Sequence, residues 1–338
     1  MFVYLCTKIA LTMKFRTEIE VSPWRVPIDY DHKITCLGSC FATNIATRLA
    51  RRKFDVVNSP VGILFNPVSI ANAVDMMVES CQGGDGVDER MMVLHDGRYL
   101  NYDFHSQLSA ATKEDATELM HRQLVEGGHR ILSSDLVIIT LGTAWCYTHR
   151  ATGRVVANCH KQPSSLFERR LLSVSEVVDA LRMVVEMLNC RVLFTISPIR
   201  HVGEGLEDNS LSKAILRVAV AEVCSSCNGG VDYFPAYEIM MDDLRDYRFY
   251  ESDMTHPTQQ AVDYIADKFF GAALSVAAKQ TMHQVDRVVS AVEHRPFNPT
   301  SEGYKIFCRK QLEAIESIKG VDLSKESAFF ERMLAENV

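Results

Sequence analysis

Ile34-Thr35-Cys36-Leu37-Gly38-Ser39-Cys40-Phe41-Ala42 joins a short apolar, β-rich run to a glycine and a serine and then to a helical pattern. Gly38-Ser39 breaks the first run, after which Phe41, Ile45 and Leu49 recur on one face of a helix reaching to Lys53. Phe54 to Val57 reads as a second strand. Lys33 to Val61 thus predicts a strand, tight turn, helix, strand unit, the opening of a doubly wound sheet.

Downstream, Asn66-Pro67 supplies an N-cap and a first-turn proline for a helix whose buried face holds Ile70, Val74, Met77 and Val78. Met91 to Leu100 carries Asp96-Gly97 between apolar runs, a hairpin signal, and an acidic helix follows from about Thr112 to Ile131. These read as an insertion over about 81–134. Leu136 to Leu141 is continuously apolar, as suits a central parallel strand covered on both faces. Trp145 to Asn158 predicts a hairpin turning at Thr152-Gly153. Ser173 to Glu176 is a capping box opening a helix to Leu188, followed by a strand from Arg191 to Ser197. A helix over about Ser210 to Cys224, a strand from Val231 to Phe234 and a helix from Pro257 to about Ala278 complete the series.

The expected fold is α/β: a three-layer α/β/α, doubly wound, mostly parallel five-stranded sheet, with an inserted hairpin and helix segment and a helical C-terminal appendage. The expected domains are a loose extension or pre-start segment over 1–13, a main domain over 14–283 and the appendage over 284–338.

The chain has 338 residues, of which 47% are hydrophobic and 23% charged, enough to bury a sizeable core. With 36 Lys plus Arg against 43 Asp plus Glu, the net charge of -7 argues against a surface that tracks phosphates, so no nucleic-acid partner is expected. Ten cysteines scattered over this length, without a convincing export signal, suit reduced thiols in the cytoplasm. Met1 to Leu11 is apolar but short and is broken by Lys8, so no membrane span is expected.

Ligands of doubly wound sheets sit at the carboxyl ends of the strands. Ser39, on the first such turn, places a hydroxyl at a helix N-terminus, a pattern that also fits a plain N-cap serine. In Asp253-Met254-Thr255-His256-Pro257, the proline biases His256 to an extended turn, and Asp253 can fold back onto the imidazole. Together the two loops supply a nucleophile, a base and a group that orients the base. Cys40 is a weaker nucleophile, with a pKa expected to fall at the helix N-terminus. Cys224-Ser225-Ser226-Cys227 and Cys159-His160 have metal or redox spacing but no matching partners. Arg200-His201 could hold a substrate carboxylate or phosphate and equally fits a solvated loop pair, and Tyr247, Phe249 and Tyr250 are read as packing for the Asp253 loop.

Gly38-Ser39-Cys40-Phe41-Ala42 resembles the signature of the GSCFA family, a branch of the SGNH (GDSL-like) hydrolases. Similar to that family too are Gly62-Ile63-Leu64-Phe65-Asn66-Pro67, Leu141-Gly142-Thr143-Ala144-Trp145, Asn158-Cys159-His160-Lys161, Ser197-Pro198-Ile199-Arg200-His201, and the run from Tyr233 to Pro257. The resemblance covers roughly Lys14 to Lys305. It implies a flavodoxin-like SGNH fold, a serine nucleophile at Ser39 and an Asp253-His256 pair, with no metal or organic cofactor. It further implies an oxyanion hole built from the Ser39 and Gly62 amides. The third superfamily donor, an asparagine side chain, is missing from Gly142-Thr143-Ala144-Trp145, leaving Thr143, Asn66, Asn158 or His160 to replace it. Losing one such donor costs about 3 to 4 kcal/mol of transition-state stabilisation.

The resulting expectation is a cytoplasmic serine esterase acting on an O-acyl ester of a small molecule or carbohydrate, with Asn66, Asn158, His160, Arg200 and His201 as substrate-binding candidates. An acyltransferase using the same triad and a degenerate module that only binds a ligand are the alternatives. Oligomeric state is left open.

Overall fold

In the computed structural model, which describes residues 16–227 and 229–335, Lys33–Gly38 forms the first strand, β1. The expectation for residues 1–13 lies outside the described residues. α1 (Cys40–Arg51), β2 (Asp55–Asn58) and α2 (Pro67–Cys81) follow, then the hairpin β3 (Met92–His95) and β4 (Arg98–Asn101), and α3 (Lys113–Leu132). β5 (Leu136–Leu141), β6 (Trp145–His149), β7 (Val155–Val156), β8 (Phe167–Leu171), α4 (Val174–Met187), β9 (Arg191–Ile196), α5 (Leu206–Ser226) and β10 (Val231–Phe234) come next. The single turn α6 (Ala236–Glu238), α7 (Gln259–Ala273), α8 (Val276–Glu293), α9 (Glu302–Ser317) and α10 (Ser324–Ala335) complete the chain.

The main sheet has the order β10-β9-β5-β1-β2, and every pair in it is parallel. Counted within the sheet this is 2-1-3-4-5, the flavodoxin-like order, whose switch point lies between β1 and β5. Burial on both faces explains the continuous apolar runs: Leu136 and Ile138 join Ile34, Cys36 and Leu193 in one core with α1 and α7, while Val137, Ile139 and Leu141 join Leu37 and Phe194 in the other with α2 to α5. Each such side chain contributes about 1.5–3 kcal/mol on burial, which makes the sheet a stiff base for its loops. A third cluster, built from Val285, Val288, Tyr304, Cys308 and Phe330, joins α8, α9 and α10. It is tied to the main frame by the Lys53–Glu326 and Arg51–Glu293 ion pairs at 2.5 and 2.8 Å.

Gly38 fixes the turn out of β1. Its φ is +117°, closed to ordinary side chains, and a Cβ there would run into the Thr140 carbonyl of the neighbouring strand. α2 starts as its residues dictate, with Asn66 Oδ1 accepting from the Ser69 amide, and α4 has the full Ser173–Glu176 capping box. The hairpin turning through Asp96-Gly97 is β3–β4. α3 packs on α2 and gives Ala116, Met120, Leu124 and Ile131 to the sheet-facing core, so this part of the 81–134 segment belongs to the helical layer.

Three elements depart from the sequence reading. The expected helix from Pro257 to about Ala278 is two helices: Thr258 caps α7, Pro257 bridges to Tyr250, and Ser275 caps α8 after Leu274 leaves the helix to pair with Ile28. α5 begins at Leu206, earlier than Ser210, because Gly205 takes a φ of +91° as its N-cap and Glu207 and Asp208 suit the first turn. The hairpin of β6 and β7 gains a third strand, β8, whose Glu168-Arg169-Arg170 hides the alternation that marks a strand.

Candidate functional site

β1 and β5 are neighbours from which the chain departs to opposite sides, so Ser39 and Gly142-Thr143 flank the switch-point crevice. Ser39 is the N-cap of α1, but its side chain makes no capping bond. The residue is 1% exposed, and its Oγ is buried without any hydrogen-bond partner. A buried orphan hydroxyl is rare in a settled fold, and it departs from the plain-cap reading in which that oxygen would accept from the helix.

The other wall is a knot built around Asp253. Its Oδ1 accepts from the amides of Thr255 and His256 at 2.8 and 2.9 Å, and its Oδ2 lies 2.6 Å from His256 Nδ1. The loop closes through Glu251 N–H to His256 O at 2.7 Å and Thr258 N–H to Phe249 O at 2.8 Å, with Met254 at a φ of +57°. The bonds from the His256 amide and ring, then that from Thr255, hold the Asp253 carboxyl well below the usual carboxylate range, so it stays ionised and fixes the imidazole. His256 Nε2 has no partner among the described residues, and the side chain is about half exposed. Ser39 and His256 line one cavity of about 330 Å³, together with Ser197, Ile199, Arg200, His201 and Thr255. No hydrogen bond joins Ser39 Oγ to His256.

The expected backbone donors are both committed. The Ser39 amide donates to Thr140 O at 3.0 Å, since the β1 ladder continues for one more residue, and the Gly62 amide closes a turn on Ser59 O at 2.8 Å. Glycine at position 62 answers a packing need as well: its φ is +89°, and a Cβ would collide with His105. Thr143 Oγ1 pairs with Ser212 Oγ at 3.0 Å and accepts from the Trp145 amide at 3.0 Å. Asn66 is used by its cap, with Nδ2 donating to Ser69 Oγ at 2.9 Å, and Asn158 Oδ1 accepts from the His160 amide at 2.8 Å. His160 is buried, with Nε2 at 2.8 Å from Asn101 O and Nδ1 at 3.2 Å from Ser106 Oγ, and burial chiefly lowers its pKa.

Asn66, Thr143 and Asn158 line a second cavity of about 440 Å³ with Trp145 and Tyr147, and this cavity shares Phe65 and His201 with the first. Arg200 stacks on Tyr250 and Tyr247, 3.9 and 5.3 Å from the ring centroids, so those tyrosines brace it as well as the loop. The expected fall in the Cys40 pKa is overturned, because burial pushes that thiol up. Cys224 and Cys227 lie away from the Ser39 cavity, at the end of α5 beside the β10 edge of the sheet.

Sequence reasoning missed Lys213. On α5 it is 1% exposed, and its Nζ donates to Gly142 O at 2.6 Å and Ser197 O at 2.8 Å, clamping the loops after β5 and β9. It forms no ion pair among the described residues, and burial draws its pKa down to about 7. Asn209, Ser212 and Lys213 share one helix face, and all three reach into these loops. A lysine at helical spacing reads as solvated unless its apolar neighbours are traced, and here Leu216, Ala219 and Val220 further along the same helix are the signal.

Residues 33–269 match the GSCFA family, and residues 285–336 match the GSCFA domain protein, C-terminal domain. No curated protein matches the chain. A solved structure to which it is similar is the crystal structure of a carbohydrate esterase family 3 from Talaromyces cellulolyticus, at 9% identity and a TM-score of 0.33, covering 76% of this chain and 99% of that one. No helix among the described residues is long and apolar enough to cross a membrane.

Proposed function

The chain belongs to the GSCFA family, and on that premise we propose that it is a serine esterase that hydrolyses an O-acyl ester through Ser39, His256 and Asp253. The observation that carries this reading is the 2.6 Å His256–Asp253 contact on a cavity whose other wall holds the unpartnered Ser39 hydroxyl.

Ser39 Oγ attacks the acyl carbon while His256 Nε2 takes the hydroxyl proton, and the carbonyl π pair moves onto oxygen. Collapse of that intermediate expels the alcohol, which receives the proton from His256. Water then repeats the sequence on the acyl-enzyme and restores Ser39. Asp253 stays ionised, holding the ring with Nδ1 inward and stabilising the imidazolium. The second cavity has room for the alcohol portion, and its aromatic and amide lining suits an uncharged small or carbohydrate-like group. In this reading the thiols stay reduced and the protein works in the cytoplasm.

The test is p-nitrophenyl acetate hydrolysis by the full chain against Ser39→Ala. The serine variant is expected to fall to background, and equal rates for the two proteins would sink the mechanism. A second reading, a module that binds a ligand without turning it over, is favoured by the committed Ser39 and Gly62 amides. A fluorophosphonate probe separates them: catalysis predicts labelling that His256→Ala abolishes, and a binding module predicts none.

A further inference from the structure

We propose that His201 is a catalytic residue of this cavity, its Nε2–H donating to the oxyanion formed when Ser39 attacks, with α5 positioning it through Asn209 and Lys213. The inference rests on the esterase reading above and supplies the donor which that reading lacks.

The committed groups narrow the field. The Ser39 and Gly62 amides are spent on Thr140 and Ser59, Thr143 on Ser212 and Trp145, and Asn66 on its helix cap. Among the polar side chains lining the Ser39 cavity, Ser197 Oγ accepts from the Ile199 amide and Thr255 Oγ1 faces His256 Nδ1 at 3.4 Å, each keeping its hydroxyl proton, and Arg200 is braced on Tyr250. His201 differs from these in that its ring nitrogen is buried with no partner at all. Its Nε2 is shielded from solvent and has no hydrogen-bond partner, and the residue lines both the Ser39 cavity and its neighbour.

His201 is also held. Its amide donates to Asn209 Oδ1 at 3.0 Å, and its ring packs edge-on against Phe65 with centroids 5.8 Å apart. Behind it Lys213 fixes Ser197 O, four residues upstream, and Gly142 O in the facing loop. Oxyanion stabilisation requires this preorganisation, because a donor already aimed loses nothing to reorientation as charge develops.

The charge state is right for a donor that never competes as the base. Burial, then the Lys213 ammonium, then His256 draw the His201 pKa down to about 4, so its imidazole is neutral where an esterase works. Two imidazoles thus take two roles by environment: His256, held by a carboxylate, accepts protons, and His201, kept neutral chiefly by burial, offers one hydrogen bond.

The experiment measures kcat and KM for p-nitrophenyl acetate on the full chain as wild type, Ser39→Ala, His201→Phe, His201→Gln and Arg200→Gln, with thermal midpoints for each. His201→Phe keeps a ring against Phe65 and removes the donor. It is expected to lower kcat by about 100-fold or more with KM within about threefold, since the bond is made in the transition state. His201→Gln, which restores an N–H, is expected to recover at least about tenfold of that loss. A His201→Phe enzyme within about threefold of wild-type kcat, where Ser39→Ala is dead, overturns the inference and leaves the esterase reading standing. The inference is equally overturned if His201→Phe and His201→Gln lose activity alike through a raised KM or a lowered midpoint, or if Arg200→Gln carries the kcat loss instead. An active Ser39→Ala enzyme removes the parent reading itself.

Discussion

The two walls of the Ser39 cavity are built on opposite principles. Ser39 is welded into the sheet: its amide extends the β1–β5 ladder, its neighbour Gly38 lies against Thr140, and its hydroxyl is sealed from solvent with nothing to bond. His256 stands on a loop without regular structure, about half exposed, yet its ring is held by a carboxylate that is itself fixed by two backbone amides of the same loop. Rigidity on the first side comes from long-range packing, and on the second from local hydrogen bonding. Mutations should therefore fail differently on the two walls, with loss of stability from changes to the β1 turn backbone and loss of rate without loss of fold from changes in the Asp253 loop.

The largest expected effect lies on the His256 wall. Asp253→Asn keeps an oxygen for the Thr255 and His256 amides but loses the charge that selects the ring's tautomer, and kcat should fall by about 10⁴-fold while the fold survives. Steady-state kinetics beside circular dichroism check it, and a variant within tenfold of wild type would remove Asp253 from the mechanism. On the Ser39 wall, Gly38→Ala asks a side chain to occupy a φ of +117° against a backbone carbonyl. A loss of about 3 kcal/mol or more in urea unfolding is expected. A loss below about 1 kcal/mol would show that the β1 turn yields more readily than its packing implies.

Each wall was legible to the extent that its determinants are local. Asp253-Met254-Thr255-His256-Pro257 contains its own hydrogen-bond partners, so the pair could be read from five residues. The five parallel strands were legible because burial on both faces leaves unbroken apolar runs such as Leu136 to Leu141. Donor availability was not legible: whether the Ser39 amide is free depends on Thr140, a hundred residues away, through the register of β1 against β5. β8 escaped because its charged residues mask it, and the α7–α8 break depends on Leu274 pairing with Ile28. His201 was seen as a ligand for anions, whereas Phe65, Asn209 and Lys213, none adjacent in sequence, define its setting.

Lys213 extends the contrast to the loops after β5 and β9, which it clamps together. Its folded pKa, near 7, lies below the value of an exposed lysine, so between about pH 7 and pH 10 the unfolded chain binds a proton that the folded chain does not. Stability should therefore rise with pH across that window, and below it the cost of burying the ammonium is carried in full. Lys213→Met, which cannot titrate, should flatten this component of the slope while leaving Gly142 O and Ser197 O unpaired. Urea midpoints at pH 6.5 and pH 9.5 for both proteins measure it, and parallel changes in the two would mean that Lys213 remains charged throughout.

The smallest effect separates a polar side chain spent on structure from one left free. Asn66 faces the second cavity and was a candidate oxyanion donor, yet both its amide atoms bond Ser69 at the start of α2. Its Oδ1 is the part the helix needs, because it satisfies an amide that has no intrahelical acceptor. Asn66→Ala should cost about 1 kcal/mol of stability, and Asn66→Asp, which keeps the oxygen and adds a negative charge at a helix N-terminus, should recover most of it. Equal losses in the two variants would shift the weight from the capping oxygen to Nδ2, the donor end of the Asn66 side chain. Recovery by aspartate would leave Asn66 with the frame, whereas the Ser39 hydroxyl is buried on the cavity wall without a partner.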